Sequence, residues 1–188
     1  MKKDTYHHGN LRVELIEKGL EYIDKHGVET LSMRKLADSI GVSSAAPYAH
    51  FKNKDAFLCA VRDYINEQLY DNQMNALQKN KDPNKILLEL GKSYILFFYN
   101  NPLYYQFLFS NDDEDVSTNP SFAMFKEEVL KVLNSLDGGK TDEETLRAKT
   151  LALWSMVHGL AQLVTLNGVV DKKNLEKEIE AILNSVKV

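Results

Sequence analysis

Three of the chain's four prolines directly follow an Asp or an Asn, and this pairing limits the possible fold more than any other feature of the sequence. The pairs are Asp82-Pro83, Asn101-Pro102 and Asn119-Pro120. Proline suits the first position of a helix, where its missing N–H has no intrahelical acceptor, and Asp or Asn is favoured as the capping residue before it. The pairs therefore predict three helix starts between residues 82 and 120.

The first part of the chain has the apolar spacing of further helices. A first helix is expected from about Leu11 to His26. A short second helix is expected from Met33 to Ile40, with Ser32 as its N-cap and Gly41 at its end. After Asn53, a long amphipathic helix is expected to continue to about residue 79.

Two more helices are expected towards the C-terminus. Residues 141–144 have the form of a capping box, in which Thr141 caps the helix and Glu144 reaches back to it. This helix is expected to end near Asn167, and Asp171 is expected to cap a last helix. Because no segment alternates like a strand between hairpin turns, the sequence predicts an all-α protein of about nine helices.

Two of the short helices are expected to flank a tight turn at residues 41–43. Gly41 supplies the left-handed backbone of the turn, and Val42 fills the space between the helices. The second helix of the pair is expected from Ser44 to about His50, with Ser44 as its N-cap and Pro47 in its first turn. Behind a longer first helix, this is the pattern of a helix-turn-helix, whose second helix enters the major groove of DNA.

The N-terminal residues of such a second helix face the base edges. A Ser hydroxyl can donate or accept a hydrogen bond there, and an Ala methyl suits the methyl group of thymine. The predicted base-reading residues are Ser43, Ser44, Ala45 and Ala46. Polar residues after them suit the phosphates, which give affinity and register. The predicted phosphate contacts are Tyr48, His50, Lys52 and Lys54.

Three other side chains of this region are Arg34 and Tyr48, which each have two interpretations, and Phe51, for which we expect a structural role. Arg34 is either solvated or in contact with the DNA backbone or a base. Tyr48 can pack its ring while its hydroxyl reaches a phosphate, and Phe51 is expected in the core. Residues 1–62 carry more basic than acidic side chains although the whole chain has a net charge of −4, so this part can approach a polyanion.

The segment from Thr30 to Val61 resembles the DNA-binding domain of the tetracycline-repressor (TetR) family of transcriptional regulators. The shared elements are Thr30, Leu36-Ala37, Gly41-Val42-Ser43, Tyr48, His50-Phe51 and Lys54. The resemblance implies a homodimer whose paired reading helices enter successive major grooves about 34 to 36 Å apart, on a pseudo-palindromic operator. It also brings Thr30 into the set of residues expected to bind DNA.

The resemblance implies a helix-turn-helix domain over residues 1–53 and a helical regulatory domain over residues 54–188. Such a regulatory domain dimerises and encloses a small-molecule pocket. The helix predicted after Thr141 is apolar nearly all round and must be covered on more than one side. We therefore expect a homodimer through the last two helices, which would form a four-helix interface.

The segment from Leu153 to Ala161 resembles the Trp-x-x-x-His-Gly signature of one class of TetR-family C-terminal domains, in Trp154, His158 and Gly159. Trp154, His158 and Gln162 are spaced by four residues, so they form a polar stripe on one helix face. This stripe either touches a ligand, or His158 is a satisfied core histidine beside a glycine that permits close packing.

Aromatic residues are dense from Tyr94 to Phe125, and Tyr hydroxyls can supply the few polar groups of an apolar cavity. The residues of the predicted ligand pocket are Tyr94, Phe97, Phe98, Tyr104, Tyr105, Phe125, Trp154, His158 and Gln162. An apolar or aromatic effector is therefore expected.

Several other classes of protein are disfavoured. Cys59 is the single cysteine, so no intrachain disulfide can form, and the adjacent His7 and His8 lack metal-ligand spacing. No catalytic or cofactor motif is present, so we expect no enzyme, metal or cofactor. The N-terminus lacks a signal-peptide core, which indicates a cytoplasmic protein. Polar residues interrupt the apolar stretches 94–109 and 151–166, so no membrane partner is expected.

Together these features predict a dimeric DNA-binding transcriptional regulator, a repressor that a small-molecule effector releases from its operator. The alternative is a helical small-molecule-binding or structural protein that keeps the fold without regulating transcription. The presence of Gly41, Tyr48 and Lys54 favours the regulator.

Overall fold

The computed structural model describes residues 11–79, 82–109, 119–166 and 168–185. These residues form eight α-helices and two short 3-10 helices, with no strand among them. The α-helices are α1 (Leu11–His26), α2 (Met33–Ile40), α3 (Lys54–Lys79), α4 (Pro83–Asn100), α5 (Pro102–Phe109), α6 (Pro120–Asp137), α7 (Glu143–Leu163) and α8 (Leu175–Ser185). The predicted all-α class is confirmed.

The chain divides into two compact units, Met1–Tyr64 and Ile65–Val188, and the division falls within α3. Along the described ranges, no helix is both long enough and apolar enough to cross a bilayer.

All three proline-marked helix starts are confirmed. The helices α4, α5 and α6 begin at Pro83, Pro102 and Pro120. At the third of these starts, Asn119 Oδ1 accepts a hydrogen bond from the backbone N–H of Ser121 at 2.9 Å. A short polar side chain followed by proline is thus enough to locate a helix start in this chain.

The two predicted caps of α2 are also confirmed. Ser32 Oγ accepts a hydrogen bond from the backbone N–H of Lys35 at 3.2 Å. Gly41 ends the helix in the left-handed conformation, with φ of 76°, which a residue with a Cβ adopts at a cost.

The segment after this turn differs from its prediction. An α-helix from Ser44 to about His50 was expected, but the structure has a 3-10 helix at Pro47–Ala49. The backbone N–H of Tyr48 bonds to the carbonyl of Ala45 at 3.1 Å, three residues back, and not to that of Ser44. The prediction that Ser44 caps an α-helix is therefore wrong.

Proline explains this local geometry. Pro47 has no N–H, so it cannot close a turn itself and is tolerated only where a helix begins. The neighbouring N–H groups form the shorter three-residue turns that typify short helical pieces. Only Phe51 bonds four residues back, to the carbonyl of Pro47 at 2.9 Å.

The starts of the last two helices also need correction. Asp142, not Thr141, caps α7, because its Oδ1 accepts from the N–H of Thr145 at 2.8 Å while the Thr141 hydroxyl donates to Asp137. This helix ends at Leu163, short of the expected Asn167, which lies outside the described residues.

Asp171 does not cap the last helix, which begins four residues later at Leu175. Asp171 instead bonds to the backbone N–H of Lys173 at 3.0 Å and to the side chain of Asn174 at 2.8 Å, forming a turn before α8.

Phe57 is the centre of the first unit's core. It is fully buried, and the ring of Phe51, itself buried as expected, meets it edge-on at a centroid distance of 5.2 Å. On its other side lies Gly19 of α1, where an added Cβ would lie 2.3 Å from Phe57 Cζ. The packing of the Phe57 ring against α1 therefore requires glycine at this position.

In the second unit, α4 is the central helix and packs against α5, α6, α7 and α8. Its residues Leu90, Ile95 and Phe98 are almost completely buried. Because α4 packs against four other helices, its side chains are positioned to line a cavity within this unit.

Candidate DNA-binding surface and internal cavity

The predicted base-reading residues lie on the outer side of the helix-turn-helix. Residues 43–45 are exposed and Ala46 is half-buried, whereas Pro47 and Phe51 are buried. The two buried rings hold the segment against the first unit, so its polar and small side chains face outwards. This is the arrangement that contact with base edges needs.

Most of the predicted phosphate contacts are also exposed. Tyr48 has 57% of its surface exposed, and His50 and Lys52 are exposed beside it. Arg34 is exposed at the first turn of α2. Their contact with DNA stays a prediction, and their exposure leaves all four able to reach a phosphate.

Lys54 is half-buried and has a structural bond. Its Nζ donates to the backbone carbonyl of Val28 at 2.8 Å, which ties the start of α3 to the segment after α1. An ammonium group has three donors, so a phosphate contact remains compatible with this bond. Lys54 therefore stabilises the first unit, in addition to its predicted contact with DNA.

Thr30 has a structural bond of the same kind. Its hydroxyl lies 3.0 Å from the carbonyl oxygens of His26 and Gly27, at the end of α1. The carbonyl of Thr30 in turn accepts from Lys35 Nζ at 2.9 Å. Its DNA contact stays a prediction beside this role.

The second unit contains an internal cavity of about 30 Å³, lined by residues of α3 to α7 and by Asn119. Its aromatic lining is Tyr94, Phe109, Phe122, Phe125 and Trp154. Its aliphatic and glycine lining is Leu69, Leu90, Gly91, Leu108 and Val157. Its polar lining is Asn66, Gln73, Asn119 and Ser121.

Three of the predicted pocket residues, Tyr94, Phe125 and Trp154, line this cavity. The other predicted residues lie outside its lining: Phe97, Phe98, Tyr104, Tyr105, His158 and Gln162. Gln162 is exposed on α7, away from the side of that helix that faces the core. Contact of these six with a ligand stays a prediction.

The polar wall of the cavity was missed from the sequence. Asn119 Nδ2 donates to Asn66 Oδ1 at 2.8 Å, while Asn119 Oδ1 accepts from the backbone N–H of Ser121. Gln73 Oε1 and Ser121 Oγ are buried without a hydrogen-bond partner, in residues that are 3% and 4% exposed. Leaving a polar atom in this state costs about 1–3 kcal/mol.

A sequence signal for part of this wall was present. Ile65, Leu69 and Gln73 are spaced by four along α3, so the glutamine shares the face of two buried apolar residues. A polar residue at a core position of an amphipathic helix indicates a local function or a partner.

His158 lies next to the cavity between two tyrosines. Its Nδ1 is 2.9 Å from the hydroxyl of Tyr94, and its Nε2 is 3.0 Å from the hydroxyl of Tyr105. Burial lowers the pKa of His158, which favours the neutral ring. Both ring nitrogens are therefore satisfied in the described structure.

Tyr94, beside this histidine, has a neutral hydroxyl, because burial is the main cause that raises its pKa. A neutral imidazole donates from one ring nitrogen and accepts at the other, and a Tyr hydroxyl can do either. Tyr94, His158 and Tyr105 therefore form one hydrogen-bonded chain in either tautomer of the histidine.

A helix-turn-helix unit followed by an all-helical unit with an internal cavity defines a class of two-unit helical regulators. Comparison with known families shows which family of regulators this is. Residues 15–61 match the family model "Bacterial regulatory proteins, tetR family", and residues 87–186 match "Tetracyclin repressor-like, C-terminal domain". The chain belongs to the TetR family, and the resemblance seen in its sequence is confirmed. The Trp-x-x-x-His-Gly class of its C-terminal domain stays a prediction.

Curated relatives match in part. The chain is 30% identical over 94 residues to the nucleoid occlusion factor SlmA of Aliivibrio fischeri (strain MJ11), which covers 50% of this chain and 48% of that protein. It is 42% identical over 52 residues to the class C tetracycline repressor protein of Escherichia coli, covering 28% of this chain and 24% of that one. The matches thus span about half or less of either relative.

Among solved structures, a transcriptional regulator of the TetR/AcrR family from Thermobifida fusca YX-ER1 superposes with a TM-score of 0.74. The alignment covers 96% of this chain and 100% of that one at 16% identity. The likeness shows a shared fold over both units. The chain therefore has the fold of TetR-family transcriptional regulators.

Proposed function

We propose that this protein is a dimeric transcriptional repressor that binds a pseudo-palindromic operator and is released by a small-molecule effector. The observation that carries the proposal is the exposed segment 43–45, held outwards by the buried Pro47 and Phe51, in a chain of the TetR family. The protein would act by binding, not catalysis, in the cytoplasm where bacterial DNA lies.

In this proposal, residues 1–53 form the DNA-binding domain, and residues 54–188 form the regulatory and dimerisation domain, whose first residue also contacts DNA. Ser43, Ser44, Ala45 and Ala46 read bases, while Thr30, Arg34, Tyr48, His50, Lys52 and Lys54 contact the backbone or, for Arg34, a base. The exposed hydroxyls of residues 43 and 44 support base reading.

Lys52 is the best test of a phosphate contact, because Lys54 also holds Val28. A duplex is first selected from a random pool with the full-length protein. We expect Lys52→Gln to weaken binding to every sequence alike and to reduce the slope of log K against log salt by about 1. The control Lys126→Gln makes the same charge change at an exposed site of α6 and should alter neither quantity.

Ser44→Ala should change sequence preference at one operator position instead of affinity for all sequences. Repeated selection with this variant measures the preference. If Lys52→Gln and Ser44→Ala behave alike in both measurements, the division between base and phosphate contacts is wrong. If the wild-type protein prefers no sequence at physiological salt, the alternative of a helical binding protein without transcriptional function is favoured.

Dimerisation is supported by an apolar surface at the C-terminal end of α7. Leu163 is 46% exposed there and Leu166, just beyond the helix, is 51% exposed. One turn earlier, a Cβ added at Gly159 would meet no side chain or other helix within 4 Å, and about three turns earlier, Leu151 is 39% exposed. We propose that the same surface of a second copy covers these residues, together with α8.

Sedimentation velocity tests this interface. We expect Leu163→Glu to convert the dimer to monomers at micromolar concentration, because a charge would be buried without a partner. The control is Leu136→Glu on α6, where the leucine is 67% exposed, and it should leave the dimer intact. Equal effects of the two substitutions, or a monomeric wild-type protein, would contradict the proposal.

Effector release would act through α3. This single helix begins at Lys54, which bonds to Val28, and later contributes Asn66, Leu69 and Gln73 to the cavity. A ligand that shifts the cavity residues can thereby change the spacing of the two DNA-binding units, to the extent that it prefers one spacing.

A further inference from the structure

We propose that the effector of this protein is an uncharged, mainly apolar molecule with one hydroxyl group, and that this hydroxyl pairs with Gln73 and Ser121 in the cavity. The inference deepens the proposed function, on which it rests, by naming the chemical class of the ligand.

The described part of the lining disfavours a charged ligand. None of the described residues that line the cavity is an Asp, Glu, Lys, Arg or His. The one titratable group among these described lining residues is the hydroxyl of Tyr94, whose pKa burial raises further, so it stays neutral. An ionised ligand would lose its hydration without gaining a countercharge, which is costly in an apolar site.

The unpartnered polar atoms determine what the ligand must offer. Gln73 Oε1 is only an acceptor, so the ligand must donate a hydrogen bond to it. Ser121 Oγ can donate or accept. A ligand hydroxyl has one proton and two lone pairs, so it can donate to the glutamine while it accepts from the serine. Asn66 and Asn119 are already bonded to each other.

The rest of the lining fits an apolar body. Phe122 meets Trp154 edge-on at a centroid distance of 5.3 Å, and both rings line the cavity with Phe109 and Phe125. A volume of about 30 Å³ holds about two water molecules, which suits the polar group but not a whole ligand. Binding of the apolar body therefore widens the cavity by displacing side chains.

The single tryptophan of the chain, Trp154, lines the cavity and reports on binding by its fluorescence. The full-length protein is titrated with three probes of similar shape: 4-propylphenol, propylbenzene and 4-propylbenzoate. We expect saturable changes with the first two, with 4-propylphenol binding roughly five- to tenfold more tightly because of its hydrogen bond. The benzoate should bind at least about tenfold more weakly than propylbenzene.

Substitution of Gln73 tests the position of the polar group. Gln73→Leu should abolish the preference for 4-propylphenol while propylbenzene still binds. Gln68→Leu makes the same change at an exposed site of α3 and should preserve the preference. Ser121→Ala provides a second variant, expected to reduce the preference, should Gln73→Leu fail to fold.

Three results would overturn the inference: no saturable change with any probe, equal affinity for 4-propylphenol and propylbenzene, or tighter binding of the benzoate. A preference that survives in Gln73→Leu would do the same. Binding to the selected duplex is measured on the same preparations. Sequence-specific DNA binding without probe binding rejects the ligand class alone, whereas probe binding without sequence-specific DNA binding rejects the proposed regulator.

Discussion

At the scale of single residues, packing in this protein depends on a few positions where one atom more would not fit. Gly19 is such a position, because the ring of Phe57 occupies the space of a Cβ. Phe57 cannot move freely, since it is fully buried and packs against Phe51. The helix-turn-helix therefore depends on a contact between α1 and α3 that lies away from its exposed residues.

We expect Gly19→Ala to lower the free energy of unfolding by about 1–3 kcal/mol through overpacking. This loss outweighs the gain of up to about 1 kcal/mol that alanine brings to a helix interior. Urea denaturation measures the change. In the background of Phe57→Leu, which shortens the facing side chain, the same substitution should cost less, and an unchanged cost would show that the clash is not the cause.

At the scale of helices, the end groups determine where each element begins. The Asn119-Pro120 start could be predicted from the sequence because cap and proline act on their own backbone. At α7, Thr141 and Asp142 are both able to cap, and only the bond from Thr141 to Asp137 decides between them.

We expect Asp142→Ala to lower the free energy of unfolding by about 1 kcal/mol, because the N–H of Thr145 loses its acceptor. Thr141→Ala should cost less, since the exposed Asp137 can bind water instead. Urea denaturation of the two variants compares the positions directly. A larger loss for Thr141→Ala would contradict the assignment of Asp142 as the cap.

The 3-10 helix at Pro47–Ala49 and the cavity could not be predicted with the same success. The N–H of Tyr48 bonds to the carbonyl of Ala45 in a 3-10 helix and would bond to that of Ser44 in an α-helix. Which of the two forms depends on how Pro47 packs. The polar wall joins residues of α3 to residues at the start of α6, and Asn66 and the cap Asn119 are 53 positions apart. Local sequence patterns contain no information on which such residues meet.

At the scale of the whole molecule, the response to pH depends on a partly buried chain of hydrogen bonds. Tyr94, His158 and Tyr105 connect α4, α5 and α7 by hydrogen bonds of 2.9 and 3.0 Å. Burial lowers the pKa of His158 in the folded state, because it disfavours the charged ring.

Acidification should therefore destabilise the protein through His158. The unfolded chain, with a histidine pKa of about 6.5, binds this proton before the folded chain does. The contribution is fully present above about pH 6.5 and is lost as the pH falls through the lowered pKa of the folded state. We expect His158→Gln to flatten the pH dependence of thermal unfolding between about pH 5 and 7.5. His50→Gln, at an exposed site, serves as the control and should leave it unchanged.

The unsatisfied Gln73 and Ser121 have a consequence for the lifetime of the protein in the cell. A ligand that satisfies them binds only the folded chain, so it raises the free energy of unfolding by mass action. Proteases degrade mainly the opened chain, and a gain of 1–2 kcal/mol can change abundance several-fold. For the proposed repressor, the compound that releases it from DNA would therefore also cause the protein to accumulate, and repression would return quickly once the compound is exhausted.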